Sequence, residues 1–367
     1  MLGVDGRGVG AFAVHPTEPL VVVGEKGNDP NIYCFSYPSW ELTKVLKKGC
    51  ERGYSCLSFS PNGEKLASVA MAPDFNLTIW DWRSERIELH TKAFGQDVYK
   101  VAWSPTDPMK LTTSGTGHIR FWRMARTFTG LKLQGDIGKF GKVELSDVDD
   151  FAEMPDGKVL SGTESGALLV WEGPFIKYRL VRPGGRRCHA GAITSVHLIK
   201  DPATGKGVAF ATGGTDGKIC WWDFKAVDEA EIDMDKSTDF ELSPVVEVPV
   251  GPPGQPRVAV RTVLRGGVAG GEGLSAPHAM VVDLAGKLWR LELSETFTAH
   301  PKTGLYELDV EVPEEGAVQV LDFHSKGVSA MDVSPVDHFA VTGGEDGAWT
   351  DPPGVRRRAR VKNKKKH

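Results

Sequence analysis

One pattern recurs often enough in these 367 residues to dictate an architecture: a glycine followed five positions later by a Trp or Leu. It runs from Gly117 to Trp122, Gly166 to Trp171, Gly217 to Trp222 and Gly286 to Leu291. In the clearest copy, Ala211-Thr-Gly-Gly-Thr-Asp-Gly-Lys-Ile-Cys-Trp-Trp-Asp-Phe224, a β-prone run enters a turn carrying Gly217. A second run then ends in an aromatic residue and an acid, which reads as a β-hairpin. Asn76-Leu-Thr-Ile-Trp80-Asp81 keeps the ending without the glycine, and Phe35 closes a degenerate first copy. The anchors Phe35, Trp80, Trp122, Trp171, Trp222 and Leu291 are separated by 45, 42, 49, 51 and 69 residues. A unit of this size cannot bury its apolar face alone, so successive units must stack on one another.

A period of about 40–45 residues with four short strands per unit resembles the WD-repeat β-propeller family. The resemblance implies an all-β propeller of about seven blades over residues 1–349, the last blade incomplete, followed by a basic, disordered tail over 350–367. The longer steps are then loops inserted between strands. It also implies a structural role for His189, Thr212, Asp216 and Trp222, which match the family's hydrogen-bonded tetrad, although Cys188 stands where the family places a glycine. Imidazole, hydroxyl, carboxylate and indole N–H can satisfy one another inside an otherwise apolar blade. A nucleophilic triad is a poor account of the same residues, because the fourth member is a Trp.

Other chemistry is weakly represented. Gly213-Gly-Thr-Asp-Gly-Lys218 is too short for a phosphate loop, and Ile219 replaces the Ser or Thr that such a loop needs. The glycine-dense stretch from Gly266 to Gly273 lacks a strand-to-helix context. The ten histidines show no metal-ligand spacing, and no nucleophile elbow is present. Five cysteines (Cys34, Cys50, Cys56, Cys188, Cys220) form no Cys-x-x-Cys pair, which points to free thiols and a reducing compartment. Neither a signal peptide nor an apolar run of about 18 residues is apparent, so a soluble intracellular chain is expected. The expectation is therefore a protein with no catalytic, cofactor-binding or metal-ligating residues and no membrane or small-molecule partner.

Charge is unevenly placed. The net charge is −4, yet the last twelve residues hold eight bases, so the body is acidic and a poor nucleic-acid binder. Where a third strand and an anchor near position 352 are due, the chain instead reads Asp351-Pro-Pro-Gly-Val-Arg-Arg-Arg. This end reads either as a localisation-type basic tail or as a foreign end produced by a gene-model error, the second being favoured. The acidic stretch 225–243 is expected as a solvated loop between strands, with an acidic partner-binding loop as the alternative. The Gly- and Pro-rich residues 251–277 break the repeat and leave a sixth blade near 257–293. The segment 126–142 reads as an outer strand and inter-blade loop, within which Phe128, Lys132, Lys139 and Phe140 are offered as a protein contact.

Leu111-Thr-Thr-Ser-Gly-Thr-Gly-His-Ile-Arg-Phe-Trp122, Phe128-Thr-Gly-Leu-Lys-Leu-Gln-Gly135 and Leu169-Val-Trp-Glu-Gly173 are similar to a family of long axonemal WD-repeat proteins of motile cilia. That resemblance implies a non-catalytic scaffold in the cytoskeleton of the cilium or flagellum. Its implied partners are inner-arm dynein, a related WD-repeat tether protein and doublet microtubules. Two other readings stay open: a generic intracellular WD-repeat adaptor, and a nuclear protein whose basic tail binds nucleic acid.

Overall fold

The computed structural model describes residues 8–128, 130–200, 205–233, 237–251, 259–266, 278–292 and 294–299. Toward the C-terminus it describes 306–311, 317–321, 328–333, 340–344, 349–351 and 355–357. Its blades follow one another along the chain, each built on four antiparallel strands. Blade one is Val9–Val14, Leu20–Glu25, Ile32–Ser36 and Leu42–Leu46; blade two is Tyr54–Phe59, Leu66–Ala70, Asn76–Asp81 and Arg86–Lys92. Blade three is Val98–Trp103, Lys110–Gly115, His118–Thr127 and Gly130–Ile137; blade four is Phe151–Glu153, Val159–Gly162, Leu168–Glu172 and Phe175–Val181. Blade five takes Ile193–Lys200, Gly207–Gly214, Lys218–Asp223 and Val246–Pro249, and blade six takes Val260–Gly266, His278–Asp283, Leu288–Glu292 and Ala317–Leu321. The first strands of blades one to three lie side by side, as do those of blades four to six and the final sheet, and Val328–Val333 of that sheet lies against Val9–Val14, which closes the ring. The expected all-β propeller is the observed fold.

The apolar core is divided into layers between adjacent blades. Trp80 packs with Ala11, Val22, Ile32 and Leu46 of blade one, and Trp122 with Val69, Leu77 and Ile79 of blade two. Trp171 lies with Ile119 of blade three, and Trp222 with Leu160, Val170 and Leu180 of blade four. Trp221, one residue earlier and so on the opposite face of its strand, packs toward Val260, Val281 and Leu291 of blade six. Inner strands are covered on both faces, which explains why Leu20–Glu25 and Leu66–Ala70 are buried at every position. The outer strand Arg86–Lys92 is exposed or half-buried throughout.

The turn glycines of the repeat have a backbone reason. Gly117, Gly166, Gly217 and Gly286 all sit at positive φ, between +62° and +84°, where a β-carbon is disfavoured. Phe75 holds the same place before Trp80 and is forced to φ +49°.

Three expectations are corrected. The acidic stretch is docked, because Asp223 caps a short helix, Phe224–Asp228, by accepting from the Ala226 N–H at 2.6 Å. Asp239–Glu241 then adds a fifth strand, parallel to Phe175–Val181, at the outer edge of blade four. Arg179 holds Asp239 through a fork of 2.8 and 2.7 Å, Lys158 meets Asp228 at 2.7 Å, and Phe240 packs on Tyr178. This strap lies between the third and fourth strands of blade five and accounts for part of the 69-residue step. Blade six carries an inserted hairpin, Ser294–Ala299 with Tyr306–Glu311, before its fourth strand. In the final sheet, Trp349–Asp351 and Val355–Arg357 pair as third and fourth strands of three residues each. The last blade is thus short in its outer half and complete in strand order, so strand pairing continues past 349; residues 358–367 lie outside the described residues.

The Arg179–Asp239 pair is about one-third exposed, so its removal should cost roughly 1 kcal/mol or less of global stability. Arg179→Ala is expected to keep the far-ultraviolet circular dichroism of the ring while a glutamate-specific protease cuts at Glu241 about five-fold faster or more. Unchanged cleavage would show that the strap does not depend on this fork.

Candidate functional site

The blade anchors follow a two-position rule. Trp80, Trp122, Trp171 and Trp222 pair across strands with Leu66, Leu111, Val159 and Phe210. Two residues further along each partner strand stand Ser68, Thr113, Ser161 and Thr212, and each hydroxyl oxygen accepts the indole Nε1–H at 2.9 Å. Where the anchor lacks an N–H, the hydroxyl is missing too. Phe35 pairs with Val21 and is matched by Val23; Leu291 pairs with Ala279 and is matched by Val281. An unpaired buried donor or acceptor costs about 1–3 kcal/mol, which is reason enough for the two to vary together. Blade six moves its indole to Trp289, which donates to the buried Asp283 at 2.9 Å.

In blade five the structure brings all four expected tetrad residues together. His189 Nδ1 lies 3.0 Å from Asp216 Oδ1, and His189 Nε2 lies 2.8 Å from the Thr212 hydroxyl that also accepts from Trp222. Asp216 Oδ2 accepts from the Ala190 N–H at 2.9 Å. Burial is the largest single influence and opposes a charge on His189, but hydrogen bonding and charge interaction with Asp216 and Cys220 together outweigh it and raise the imidazole to about 9. Desolvation likewise opposes the Asp216 carboxylate, and His189 and two backbone N–H groups hold it below its usual range. A cationic His189 donates from both nitrogens, and Thr212 passes its own proton toward the Cys220 carbonyl at 3.4 Å. Every polar atom of the set is engaged inside the protein. Gly214 is required beside it, because a β-carbon there would stand 2.5 Å from His189 Nδ1.

A related link joins blades one and two and was not anticipated from the sequence. His15 is buried; its Nδ1 accepts from the Thr17 and Glu18 N–H groups at 3.2 and 2.9 Å, so Nε2 must donate to the Gly63 carbonyl at 3.0 Å. Trp82 donates to the same carbonyl at 2.8 Å. Burial lowers the pKa of His15, in keeping with this neutral tautomer. The only hint in the sequence is the His15-Pro16 turn at the end of a strand.

The inner wall holds a second unforeseen group. Asp150 precedes the first strand of blade four, is buried, and bridges three blades. It pairs with Lys100 of blade three and accepts from the Val196 N–H of blade five at 2.8 Å. Ser195 in turn accepts from Val263 N–H of blade six at 3.1 Å. Beside this belt is a cavity of about 260 Å3 lined by Lys100, Trp103, Phe151, Glu153, His197 and Lys200. Among the described residues, no cluster of three or more His, Cys, Asp or Glu side chains is arranged to hold a metal ion.

The offered protein contact is divided by the structure. The third and fourth strands of blade three pair from Arg120–Ile137 out to Thr127–Gly130, whereas their inner neighbour stops at Lys110, opposite Arg123. The hairpin therefore projects as a two-stranded ribbon with Phe128 fully exposed near its tip and Lys132 exposed on its edge. Lys139 lies over the Phe175 ring at 5.0 Å. Phe140 does not belong to a contact surface: it is buried edge-on against Trp171, with ring centroids 5.2 Å apart, in the layer between blades three and four.

Trp80→Phe is expected to cost about 1–3 kcal/mol by leaving the Ser68 hydroxyl unpaired. Adding Ser68→Ala should recover part of that loss, giving a coupling of about 0.5 kcal/mol or more in denaturant titrations; strict additivity would refute the two-position rule. For the tetrad, a raised His189 stabilises fully below about pH 6.5 and loses that contribution as pH climbs through about 9. The lowered Asp216 contributes above its unfolded value, near 3.8, and loses it as pH falls through the folded value. The melting-temperature gap between wild type and His189→Gln should therefore be widest near about pH 6 and shrink by about pH 10. A gap that is constant with pH would contradict the assignment.

Comparison with known proteins places this geometry. Residues 7–247 match the family described as the echinoderm microtubule-associated protein first β-propeller, and residues 316–349 match the WD domain, G-β repeat. The cilia- and flagella-associated protein 44 of Mus musculus is 38% identical over 339 residues, 92% of this chain and 17% of the relative. The protein of the same name in Chlamydomonas reinhardtii is 60% identical over 203 residues, 53% of this chain and 12% of the relative. The chain thus spans less than a fifth of the length of either. Among solved structures, the β-propeller domain of Cps50 (Swd1) from Myceliophteria thermophila superposes with a TM-score of 0.68 at 14% identity, covering 96% of this chain and 98% of that one, a likeness of fold alone. The chain belongs to the echinoderm microtubule-associated protein first β-propeller family and is a WD-repeat β-propeller.

Proposed function

We propose that this chain is a non-catalytic protein-binding platform of the ciliary or flagellar axoneme, within an assembly that holds inner-arm dynein heads on doublet microtubules. The observation that carries the reading is its 38% identity, over 92% of its length, to a cilia- and flagella-associated protein. A likeness of fold would leave the strap, the ribbon and the inter-blade segments free to diverge, so an alignment of this extent reaches beyond the blades. The name of the matched family, a microtubule-associated protein, supports doublet microtubules as a partner. The side chains that could be mistaken for reactive groups, His189, Asp216 and Thr212, are spent on one another and on Trp222. Surfaces around a rigid ring are left to do the work, as expected of a scaffold that presents loops and edges to partners.

Expressed with a tag in a flagellated cell, the protein is expected to remain with the axoneme after detergent extraction and a high-salt wash, and to bring inner-arm dynein heavy chains down with it after crosslinking. Recovery in the soluble fraction, with no dynein attached, would sink the axonemal reading.

A further inference from the structure

Blades three and four end in edges of the same kind, and only one is covered. Against blade four lies the chain's own Asp239–Glu241, parallel to Phe175–Val181. An arginine–carboxylate fork and an aromatic contact hold it, Arg179 to Asp239 at 2.8 and 2.7 Å and Phe240 to Tyr178 at 5.4 Å between ring centroids. On blade three, Gly130–Ile137 is the edge of its sheet, and no described strand pairs with its outer side. An edge of this length offers a row of backbone N–H and C=O groups to any strand that can approach.

The side chains around it select by charge. Residues 120–142 contain six bases and one acid, in a chain whose net charge is −4. Arg123, Arg126 and Lys132 are exposed and make no ion pair among the described residues. Phe128 stands fully exposed beside them. Exposed cations and an exposed aromatic residue on this ribbon parallel the Arg179 and Tyr178 that blade four offers to the carboxylate and ring of its incoming strand.

We propose that the ribbon edge of blade three docks an extended, acidic, aromatic-containing segment of a partner protein, which adds as a strand in the way that residues 239–241 add to blade four. The proposal rests on the protein-binding reading and specifies the partner's chemistry. Main-chain hydrogen bonds supply affinity, while Arg126, Lys132 and Phe128 supply selectivity. A nucleic acid would meet the charges but leave the edge amides and carbonyls unpaired.

The test uses the full 367-residue chain and a fluorescein-labelled peptide with the sequence of residues 237–243, Ser-Thr-Asp-Phe-Glu-Leu-Ser. Fluorescence anisotropy in about 50 mM salt should show saturable binding. Affinity should fall about ten-fold or more when the peptide's acids become Asn and Gln, and likewise for the chain carrying Arg126→Glu with Lys132→Glu. Hydrogen exchange should show new protection over 130–137. The neutralised peptide keeps the test decisive if the double variant fails to fold. Absence of saturable binding, indifference to both charge changes, protection confined to 175–181, or equally tight binding of a short oligo(dT) would each overturn the proposal. None of these outcomes bears on axonemal retention, so failure here is distinguishable from failure of the axonemal reading.

Discussion

The hydrogen bond from a buried indole N–H to a Ser or Thr hydroxyl one strand away is the interaction on which the ring depends. A Trp side chain removes roughly 150–250 Å2 from water when buried, and it can do so between two blades only if its N–H is satisfied there. Trp80, Trp122, Trp171 and Trp222 meet that requirement identically, at 2.9 Å. Each plugs the layer shared with the preceding blade. Blades one and six reach the same end by deleting both partners, with Phe35 over Val23 and Leu291 over Val281. The condition that survives across the ring is therefore polar satisfaction, with residue identity secondary to it.

The polar links that cross between blades do a different job. His15 to Gly63, Asp150 to Lys100 and Val196, and Ser195 to Val263 run tangentially along the inner strands. Apolar layers favour contact without defining angle, whereas a buried carboxylate bridging three blades fixes their relative rotation. The fourth strands add apolar side chains such as Leu46 and Leu180 to the layers between blades and turn their other side outward. Those outer strands are where the strap of blade four and the ribbon of blade three differ from a plain repeat, and a propeller can acquire specific partners there without disturbing its core.

Much of this was legible in residues 9–223, because the repeat there carries both its turn glycine and its anchor in short range. Strand order and the hairpin turns follow from local spacing, since a period-two strand and a positive-φ turn are decided within a few residues, whereas the tetrad, in which His189 stands 23 and 27 residues from Thr212 and Asp216, was legible only through the family resemblance. The acidic strap misled because its charges suggest solvation. Its apolar members Val227, Ala230 and Phe240 are too sparse to show a period, yet they pack onto blade four. Phe140 looked available beside Lys139 for the complementary reason: a single aromatic in a glycine-rich linker carries no sign of which way it points. The proline-bearing end suggested a sheet broken off at 349, and the pairing of Trp349–Asp351 with Val355–Arg357 places that break in strand length.

By itself the sequence determined what recurs: the β-hairpin unit, its period, the identity of the anchors and the requirement that they stack, because each of these is set by propensity and side-chain chemistry over short separations. Only the tertiary structure decided what meets across the ring. Which hydroxyl receives which indole is a contact between strands, the bridging of three blades by Asp150 spans 46 residues to Val196, and the open or covered state of each outer edge depends on where an inserted segment returns. Such contacts are governed by geometry at a distance, and no local pattern encodes them.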